Sequence, residues 1–252
     1  MTMTFSRAFA AMWSLAFREL IRFFRQKSRL IGAFLTPLLF WLLLGFGIDG
    51  ASNSSAVGSA ANFKQFFVPG MMVMAVVFTA IYSAISLIED RNSGFFQGVI
   101  VSPLPRWSWI ASKVLGASLI AIFQGFLLLP LAFFTGLKPG LVGIFAILLL
   151  FLMMAIFISS LALHFGWKIE SVSGFHGIMN TVLMPLWFLS GSTFPIKSGP
   201  LLWVARLNPL SYAVTSFQEI LFHNSFEGFS MALLILMVFS SLLLGLSLLR
   251  AE

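Results

Sequence analysis

Long apolar stretches that contain no charged residue dominate this sequence and restrict the folds open to it. The hydrocarbon core of a bilayer is about 30 Å thick, so a helical crossing needs roughly 20 apolar residues. Six stretches are candidates, at about residues 30–48, 66–88, 114–137, 139–163, 177–194 and 229–249. Because lipid offers the backbone no hydrogen-bond partners, each crossing is expected to be helical. The sequence therefore predicts an all-α integral membrane protein with six transmembrane helices.

The segments between these stretches are too short to form a soluble domain. The longest are residues 1–29, 89–113 and 196–228. None of them can bury a hydrophobic core of its own. We therefore expect one transmembrane domain that covers residues 1–252.

Lysine and arginine are distributed unevenly between the two predicted sides of the membrane. With six spans and a cytoplasmic N-terminus, 11 of the 15 basic residues face the cytoplasm. The other four are Lys64, Lys138, Lys197 and Arg206. This bias predicts that both termini are cytoplasmic. A cleaved signal peptide fits poorly, because residues 30–48 exceed the usual apolar length of about 7–15 residues.

Residues 1–29 predict an amphipathic helix that lies in the membrane interface. Four arginines fall within about 60° of one another on a helical wheel: Arg7, Arg18, Arg22 and Arg25. Apolar residues occupy the opposite side: Phe5, Phe9, Met12, Trp13, Ala16, Leu20, Phe23 and Phe24. Lys27 falls on the apolar side, so the helix is expected to end or bend near Gln26. Such a helix could serve as a topology anchor or as a lever that contacts a cytoplasmic partner.

The predicted spans lack the residues that would power transport. Ion-coupled carriers usually place ionisable groups near mid-membrane, and none occurs in the six stretches. Gln124 and Asn180 are polar, but such residues more often form hydrogen bonds between packed helices. The sequence has no phosphate-binding loop of the Gly-x-x-x-x-Gly-Lys-Ser/Thr type and no His-Glu-x-x-His motif. We therefore expect no enzymatic activity and no cofactor bound by this chain.

The segment after the second span combines charge with a short apolar helix. Three charged residues begin it: Glu89, Asp90 and Arg91. Asn92 or Ser93 is expected to cap the helix, and Pro103 and Pro105 to end it. Its apolar residues share one face: Phe95, Phe96, Val99 and Ile100. Taken alone, this pattern favours an ordinary interfacial helix over a contact with a partner. Trp107 and Trp109, which follow, suit the headgroup region.

Residues 196–228 are apolar but are interrupted by polar residues and prolines. The piece from Ser211 to Phe222 is only about 18 Å long as a helix, which is too short to cross. Two half-helices that meet at Asn208 and Pro209 fit better, with Asn208 capping the second. We expect an extracytoplasmic hairpin between spans five and six, which could be a structural lid or a gate.

The order of these motifs resembles the ABC-2 type permease family over essentially the whole chain. An acidic residue and Arg91 precede Gly94, and a short helix closes in Ser102-Pro103-x-x-Arg106 before Lys113. A second set of matching residues follows: Pro185, Ser190-Gly191, Phe194-Pro195, Pro200 and Asn208-Pro209-Leu210-Ser211-Tyr212.

This resemblance implies the membrane subunit of an ATP-driven exporter in the bacterial cytoplasmic (inner) membrane. ATP and Mg would bind a separate cytoplasmic ABC ATPase subunit, and a second copy of the permease, forming a homodimer, would complete the path. The expected cargo is a drug, lipid or glycolipid, and a polysaccharide is the alternative cargo. The alternative functions are an ion-gradient-driven carrier or channel and a non-transporting assembly factor.

The resemblance also assigns roles to residues. Glu89 and Arg91 would position the loop, and Gly94–Val101 would form a coupling helix that docks on the ATPase. The residues expected in this coupling are Glu89, Arg91, Gly94, Phe95, Phe96, Val99, Arg18 and Arg22. The residues expected to line the substrate path are Phe67, Met71, Met74, Phe78, Asn180, Met184 and Phe188. Pro195, Asn208 and Pro209 would belong to the outer hairpin or gate.

Overall fold

The computed structural model describes residues 5–49, 63–102, 104–196 and 199–250, and every regular element in these ranges is helical. The α-helices are α1 (Phe5–Arg25), α2 (Lys27–Asp49), α3 (Phe63–Asn92), α4 (Phe95–Val101), α5 (Arg106–Phe134), α6 (Leu141–Gly166), α7 (Val172–Ile178), α8 (Met184–Trp187), α9 (Pro200–Leu207), α10 (Pro209–Gln218) and α11 (Phe229–Arg250). Six helical stretches in the described ranges are long and apolar enough to cross a membrane. They are α2, α3, α5, α6, the stretch Val172–Ser192 and α11. The all-α fold with six spans is therefore confirmed.

Helix α3 is the centre of the bundle. In its apolar window 83% of the residues are buried, against 22% in α2 and 17% in α11. Helices α2, α5, α6 and α10 surround it, and its side chains Phe67 and Met71 are fully enclosed. In lipid, such close packing stabilises a helix more than apolar burial does, because the surrounding chains are equally apolar. The outer helices α2 and α11 keep broad apolar faces exposed on the outside of the bundle.

The antiparallel arrangement of α3 and α5 gives the molecule two distinct ends. At one, Lys113 Nζ lies 2.5 Å from Asp90 Oδ2. At the other, Gln65 Nε2 donates to the Thr135 carbonyl at 2.7 Å. We call the first, with Glu89, Asp90 and Lys113, the charged end. The second, where α9 and α10 lie, is the hairpin end.

The third span differs from its predicted boundaries. Helix α5 begins at Arg106 instead of Val114 and ends at Phe134 instead of Leu137. Lys113, predicted to lie just before the third span, is within this helix and is 2% exposed. Its charge is neutralised by carboxylates of the same chain.

The fifth span is irregular, with a kink at Gly191, whose φ is 79°. Two wider π-helical turns, Met179–Leu183 and Phe188–Ser192, flank α8. Pro185 lies in the first turn of α8. A proline ring clashes with the carbonyl four residues earlier in a regular α-helix. The π turn before Pro185 changes the local register and lets the helix continue.

The hairpin has the predicted construction. Helices α9 and α10 meet at Asn208, whose Oδ1 accepts a hydrogen bond from the Leu210 amide at 3.0 Å. The Asn208 side chain also donates from Nδ2 to the Leu186 carbonyl at 2.7 Å. Asn208 therefore caps α10, as predicted, and connects the hairpin to the fifth span.

Candidate functional site

Seven charged side chains meet at the charged end, where α1, α2, α3 and α5 converge. Four are cations and three are carboxylates: Arg18, Arg22, Arg29, Lys113, Glu19, Glu89 and Asp90. We call this group the ion cluster. It connects helices that are far apart in the sequence, and it was not predicted as a unit.

Lys113 is the most enclosed cation of the ion cluster. Its Nζ donates to Glu19 Oε1 at 2.8 Å, to Ser86 Oγ at 2.9 Å and to Asp90 Oδ2 at 2.5 Å. A lysine ammonium has three N–H donors, and each finds an acceptor. Burying an unpaired charge costs several kcal/mol, so the three partners are what permit this lysine to be buried. Lys113 thereby joins α5 to both α1 and α3.

The arginines of α1 pair with the carboxylates of α3. Arg18 Nη2 lies 3.0 Å and Arg22 Nη1 lies 2.8 Å from Asp90 Oδ1. Arg22 also contacts Glu89 at 2.6 Å, and Arg29 of α2 pairs with the same Glu89 carboxylate. Burial lowers the pKa of Arg18, but its hydrogen bond to Asp90 and the nearby negative charges raise the pKa overall. Both α1 arginines predicted for coupling are thus engaged within the chain, and their contact with an ATPase stays a prediction.

Helix α1 has a basic face, a face buried against the rest of the chain and an exposed apolar face. The helical wheel indicated only a basic and an apolar face. Ala8, Met12 and Ala16 are buried against the rest of the chain, while Phe9 and Trp13 remain exposed. The buried face packs on α5 at Gly116, where an added Cβ would lie 2.8 Å from Glu19 Cβ. Only glycine allows this approach. The predicted end of the helix near Gln26 is confirmed, since Gln26 is not helical.

The turn from α3 into α4 is made by Gly94. This glycine has φ of 77° and precedes α4 without a side-chain cap. The expectation that Asn92 or Ser93 caps α4 is wrong. Asn92 is still in α3, and the Ser93 hydroxyl donates to the Asp90 carbonyl at 3.3 Å. The sharp reversal requires a left-handed residue, which glycine adopts without strain.

One face of α4 is held against the rest of the chain. The Phe96 ring centroid lies 5.0 Å from that of Trp109 and 5.5 Å from that of Trp167. We call these three side chains the aromatic socket. Val99 packs in the same hydrophobic cluster as the aromatic socket. The guanidinium carbon of Arg18 lies 3.8 Å from the ring centroid of Phe95.

The outward face of α4 is formed by Gln97, Gly98 and Val101, and Val101 is 87% exposed. The inward residues Phe96 and Val99 were predicted to act in coupling, and they lie in the anchoring face. Trp109 is 4% exposed because it packs within the chain, and its predicted place at the level of the headgroup region stays a prediction. Pro103, expected to end α4, lies outside the described residues.

Glu89 and Arg91 act on different neighbours. Glu89 belongs to the ion cluster, whereas Arg91 Nη1 donates to the carbonyls of Gly166, Trp167 and Ile169 at 3.4, 3.0 and 3.3 Å. These carbonyls lie at the C-terminal end of α6. A cation there satisfies free carbonyls and the negative end of the helix dipole. Arg91 thus fixes the α3–α4 turn against α6.

The residues predicted to line a substrate path fall into two groups. Phe67, Met71 and Met74 are enclosed by helices of the same chain, and Phe78 and Met184 are partly buried against this core. Asn180 and Phe188 are exposed on the fifth span. Lining of a path by these residues stays a prediction. Gln124 forms hydrogen bonds with Thr79 and, at 3.4 Å, with the Ala33 carbonyl, in agreement with a helix-packing role.

The sequence contains one signal that would have indicated the ion cluster. Glu19 is the single acidic residue before Asp49, and it lies on an otherwise basic helix. An isolated carboxylate among arginines is typical of an internal ion pair. No comparable feature of the sequence indicated that Trp167 would take part in the aromatic socket. Among the described residues, no group of three or more His, Cys, Asp or Glu side chains is placed to hold a metal ion.

Most of this chain is similar to known transport proteins. Residues 10–222 match the ABC-2 type transporter family. The ycf38 transport permease of Cyanophora paradoxa is 29% identical over 88% of this chain and 78% of its own length. A daunorubicin resistance ABC transporter permease protein of Streptomyces coeruleorubidus is 26% identical over 81% and 72%. The inner membrane transport permease YadH of Escherichia coli is 27% identical over 73% of each chain.

These matches cover most of the chain, including the ion cluster up to Lys113 and the hairpin. Together with six candidate spans, they show that the chain belongs to the ABC-2 type transporter family, as a multi-pass membrane transport permease subunit.

Proposed function

We propose that a separate cytoplasmic ABC ATPase drives this permease subunit and moves its helices through α4. The observation that carries the proposal is the two-faced construction of α4. Its inward face is anchored in the aromatic socket, while Gln97, Gly98 and Val101 face outward. A helix of seven residues with an anchored face and a free face suits a contact that transmits force.

The connections of α4 explain how a displacement would spread. Phe96 contacts Trp109 of α5 and Trp167 beyond the end of α6. Phe95 lies beneath Arg18 of α1, which is in turn paired with Asp90 of α3. A push on α4 therefore acts on α1, α3, α5 and α6 together. Movement of a packed unit between two arrangements is how such subunits switch the side on which a path is open.

The positions of the ionisable groups support coupling to an ATPase over transport driven by an ion gradient. Asp90 and Lys113 lie near the ends of their helices. Halfway along α3 the polar contact is the neutral pair of Thr79 and Gln124. A carrier driven by protons or sodium ions would need ionisable groups deeper in the membrane. ATP and Mg would accordingly bind the partner subunit.

The proposed cargo is an amphiphilic or hydrophobic molecule, such as a drug, lipid or glycolipid, exported from the cytoplasm or inner leaflet. The relative named for daunorubicin resistance supports this class.

Two copies of the chain would enclose the path. The weakly buried faces of α2 and the fifth span, 22% and 17% buried, are available for this pairing. The charged end would face the cytoplasm of a bacterial inner membrane, with α1 along the interface.

The contact surface of α4 can be tested with Val101→Asp. An Asp placed in a docked apolar contact would be desolvated, and losses of about 2 kcal/mol or more are typical of central interface residues. We expect substrate-stimulated ATPase activity of the assembled complex to fall at least about tenfold. Val101 is exposed, so the permease itself should insert and melt normally.

The matched control is Val142→Asp, which changes an exposed valine at the start of α6. It should leave stimulation within about twofold of the unchanged complex, since it lies at the hairpin end. Unchanged stimulation in the Val101→Asp complex would exclude the outward face of α4 as the ATPase contact.

A further inference from the structure

A cavity of about 310 Å³ lies at the hairpin end, between the hairpin, the end of the fifth span and the start of α3. Its wall is partly apolar, with Phe66, Leu202 and Val214. Along α3, Phe66 is roughly 36 Å from Asp90 at a rise of 1.5 Å per residue. The cavity is therefore separate from the ion cluster. Its size falls at the lower end of small-molecule sites, about 300–1,000 Å³.

Arg206 contributes the one charged side chain to the cavity lining. No ion pair joins it to a carboxylate within the described ranges. Its guanidinium carbon lies 5.3 Å from the ring centroid of Trp203, and its carbonyl accepts a hydrogen bond from the Tyr212 hydroxyl at 2.8 Å. The planar fork of an arginine binds carboxylate and phosphate groups with two parallel hydrogen bonds. The guanidinium is thus available for an anion.

A second polar group in the same cavity lacks a partner. The Ser211 hydroxyl oxygen is buried and has no hydrogen-bond partner in the part of the chain that the structure describes. Leaving a buried hydroxyl unsatisfied costs about 1–3 kcal/mol. A ligand oxygen near Arg206 and Ser211 would remove this cost. The cavity therefore combines a cation, a free hydroxyl and apolar walls.

The surroundings indicate what kind of molecule carries the anion. Helix α9, which borders the cavity, exposes Leu201, Trp203 and Leu207. A volume of about 310 Å³ accommodates a headgroup but leaves no room for long apolar chains as well. Apolar chains would instead lie along the exposed side of α9.

We propose that this cavity binds the phosphate or carboxylate headgroup of an amphiphile whose apolar part remains beside α9. Identifying that amphiphile as exported cargo rests on the proposed transport function, whereas the binding itself does not. Arg206 supplies the charge and Ser211 a hydrogen bond.

Binding can be measured on the purified full-length chain, in detergent and without any ATPase, by native mass spectrometry. The probes are phosphatidylglycerol, a diacylglycerol with the same chains, and glycerol 3-phosphate. We expect phosphatidylglycerol to bind about tenfold or more tightly than the neutral diacylglycerol, as one charge-assisted contact suggests. Glycerol 3-phosphate should bind much more weakly, because it lacks the apolar part.

Arg206→Gln should abolish the preference for phosphatidylglycerol, and Arg206→Lys should retain part of it. Ser211→Ala should weaken binding several-fold. The control Lys138→Gln removes the same charge from an exposed position in the turn between α5 and α6, outside the cavity lining. It should bind like the unchanged protein.

Equal binding by Arg206→Gln and Lys138→Gln would overturn the proposal, as would equal affinity for the charged and neutral lipids. If glycerol 3-phosphate bound as tightly as phosphatidylglycerol, the ligand would be a free anion, and the proposal that it is an amphiphile would be wrong. Because no ATPase is present, these results are independent of whether α4 couples to one.

Discussion

Lys113 shows that sequence patterns do not reveal what surrounds a charged side chain. It was taken as a residue outside the third span, yet it is buried within α5 and satisfied by Glu19, Ser86 and Asp90. Its partners come from helices that begin far away in the chain. A lysine in such a position holds helices together because each of its hydrogen bonds leads to another element.

Replacing Lys113 with methionine removes the charge while keeping an unbranched side chain. Loss of one partner of a buried ion pair typically costs about 3–5 kcal/mol, because the remaining charge stays buried. We expect Lys113→Met to lower the free energy of unfolding by about 3 kcal/mol, since Asp90 and Glu19 keep their arginine contacts. Unfolding of the purified protein in detergent measures this change.

Two further variants sharpen the interpretation. Lys138→Met at the exposed turn should leave stability unchanged. Adding Glu19→Gln to Lys113→Met should restore part of the loss, because removal of both partners leaves fewer unpaired charges. Equal stability of Lys113→Met and the unchanged protein would contradict a structural role for the ion cluster.

Helix α1 packs on α5 through a close approach at Gly116. Arg18 and Arg22 pair with α3, the small residues of α1 pack on α5, and Phe9 and Trp13 remain exposed. The helical wheel revealed the basic side but could not divide the apolar side into protein-facing and exposed parts. Both parts are equally hydrophobic, and the sequence of α5 determines which one is buried.

Gly116→Val should separate α1 from α5. The added side chain would meet Glu19 Cβ and the Ala16 carbonyl, and overpacking of this kind costs about 1–3 kcal/mol. We expect α1 to detach, which faster proteolysis near Gln26 would report. The control is Gly245→Val in α11, where an added Cβ meets nothing within 4 Å. Similar proteolysis of both variants would show that the close approach at Gly116 is not needed.

The molecule as a whole has two chemically different ends. The charged end carries the ion cluster, α1 and α4, whereas the hairpin end carries α9, α10 and the cavity at Arg206. This separation places the proposed energy input and the proposed headgroup site at opposite ends of the same central helix. Helix α3 connects the two ends directly.

The orientation of these ends in the membrane can be measured directly, because the chain has no cysteine. Gln97→Cys labels the charged end and Lys138→Cys the hairpin end, both at exposed positions. With a membrane-impermeant maleimide, intact cells should label Lys138→Cys, and Gln97→Cys should react only after permeabilisation. The cysteine-free chain is the blank. The reverse pattern would invert the predicted topology.

Local chemistry in the sequence was sufficient for the six apolar spans, the end of α1 near Gln26 and the hairpin joint at Asn208. Each of these follows from residues close together in the chain: an uncharged run, a change of helical face, or an asparagine before a proline. The start of α5, the burial of Trp109 and the ion cluster required the folded chain. Lys113 and Glu19 are 94 residues apart. The sequence around a lysine does not show whether water solvates its charge or a distant carboxylate neutralises it. Only the packing of α1 on α3 and α5 determines which of these occurs.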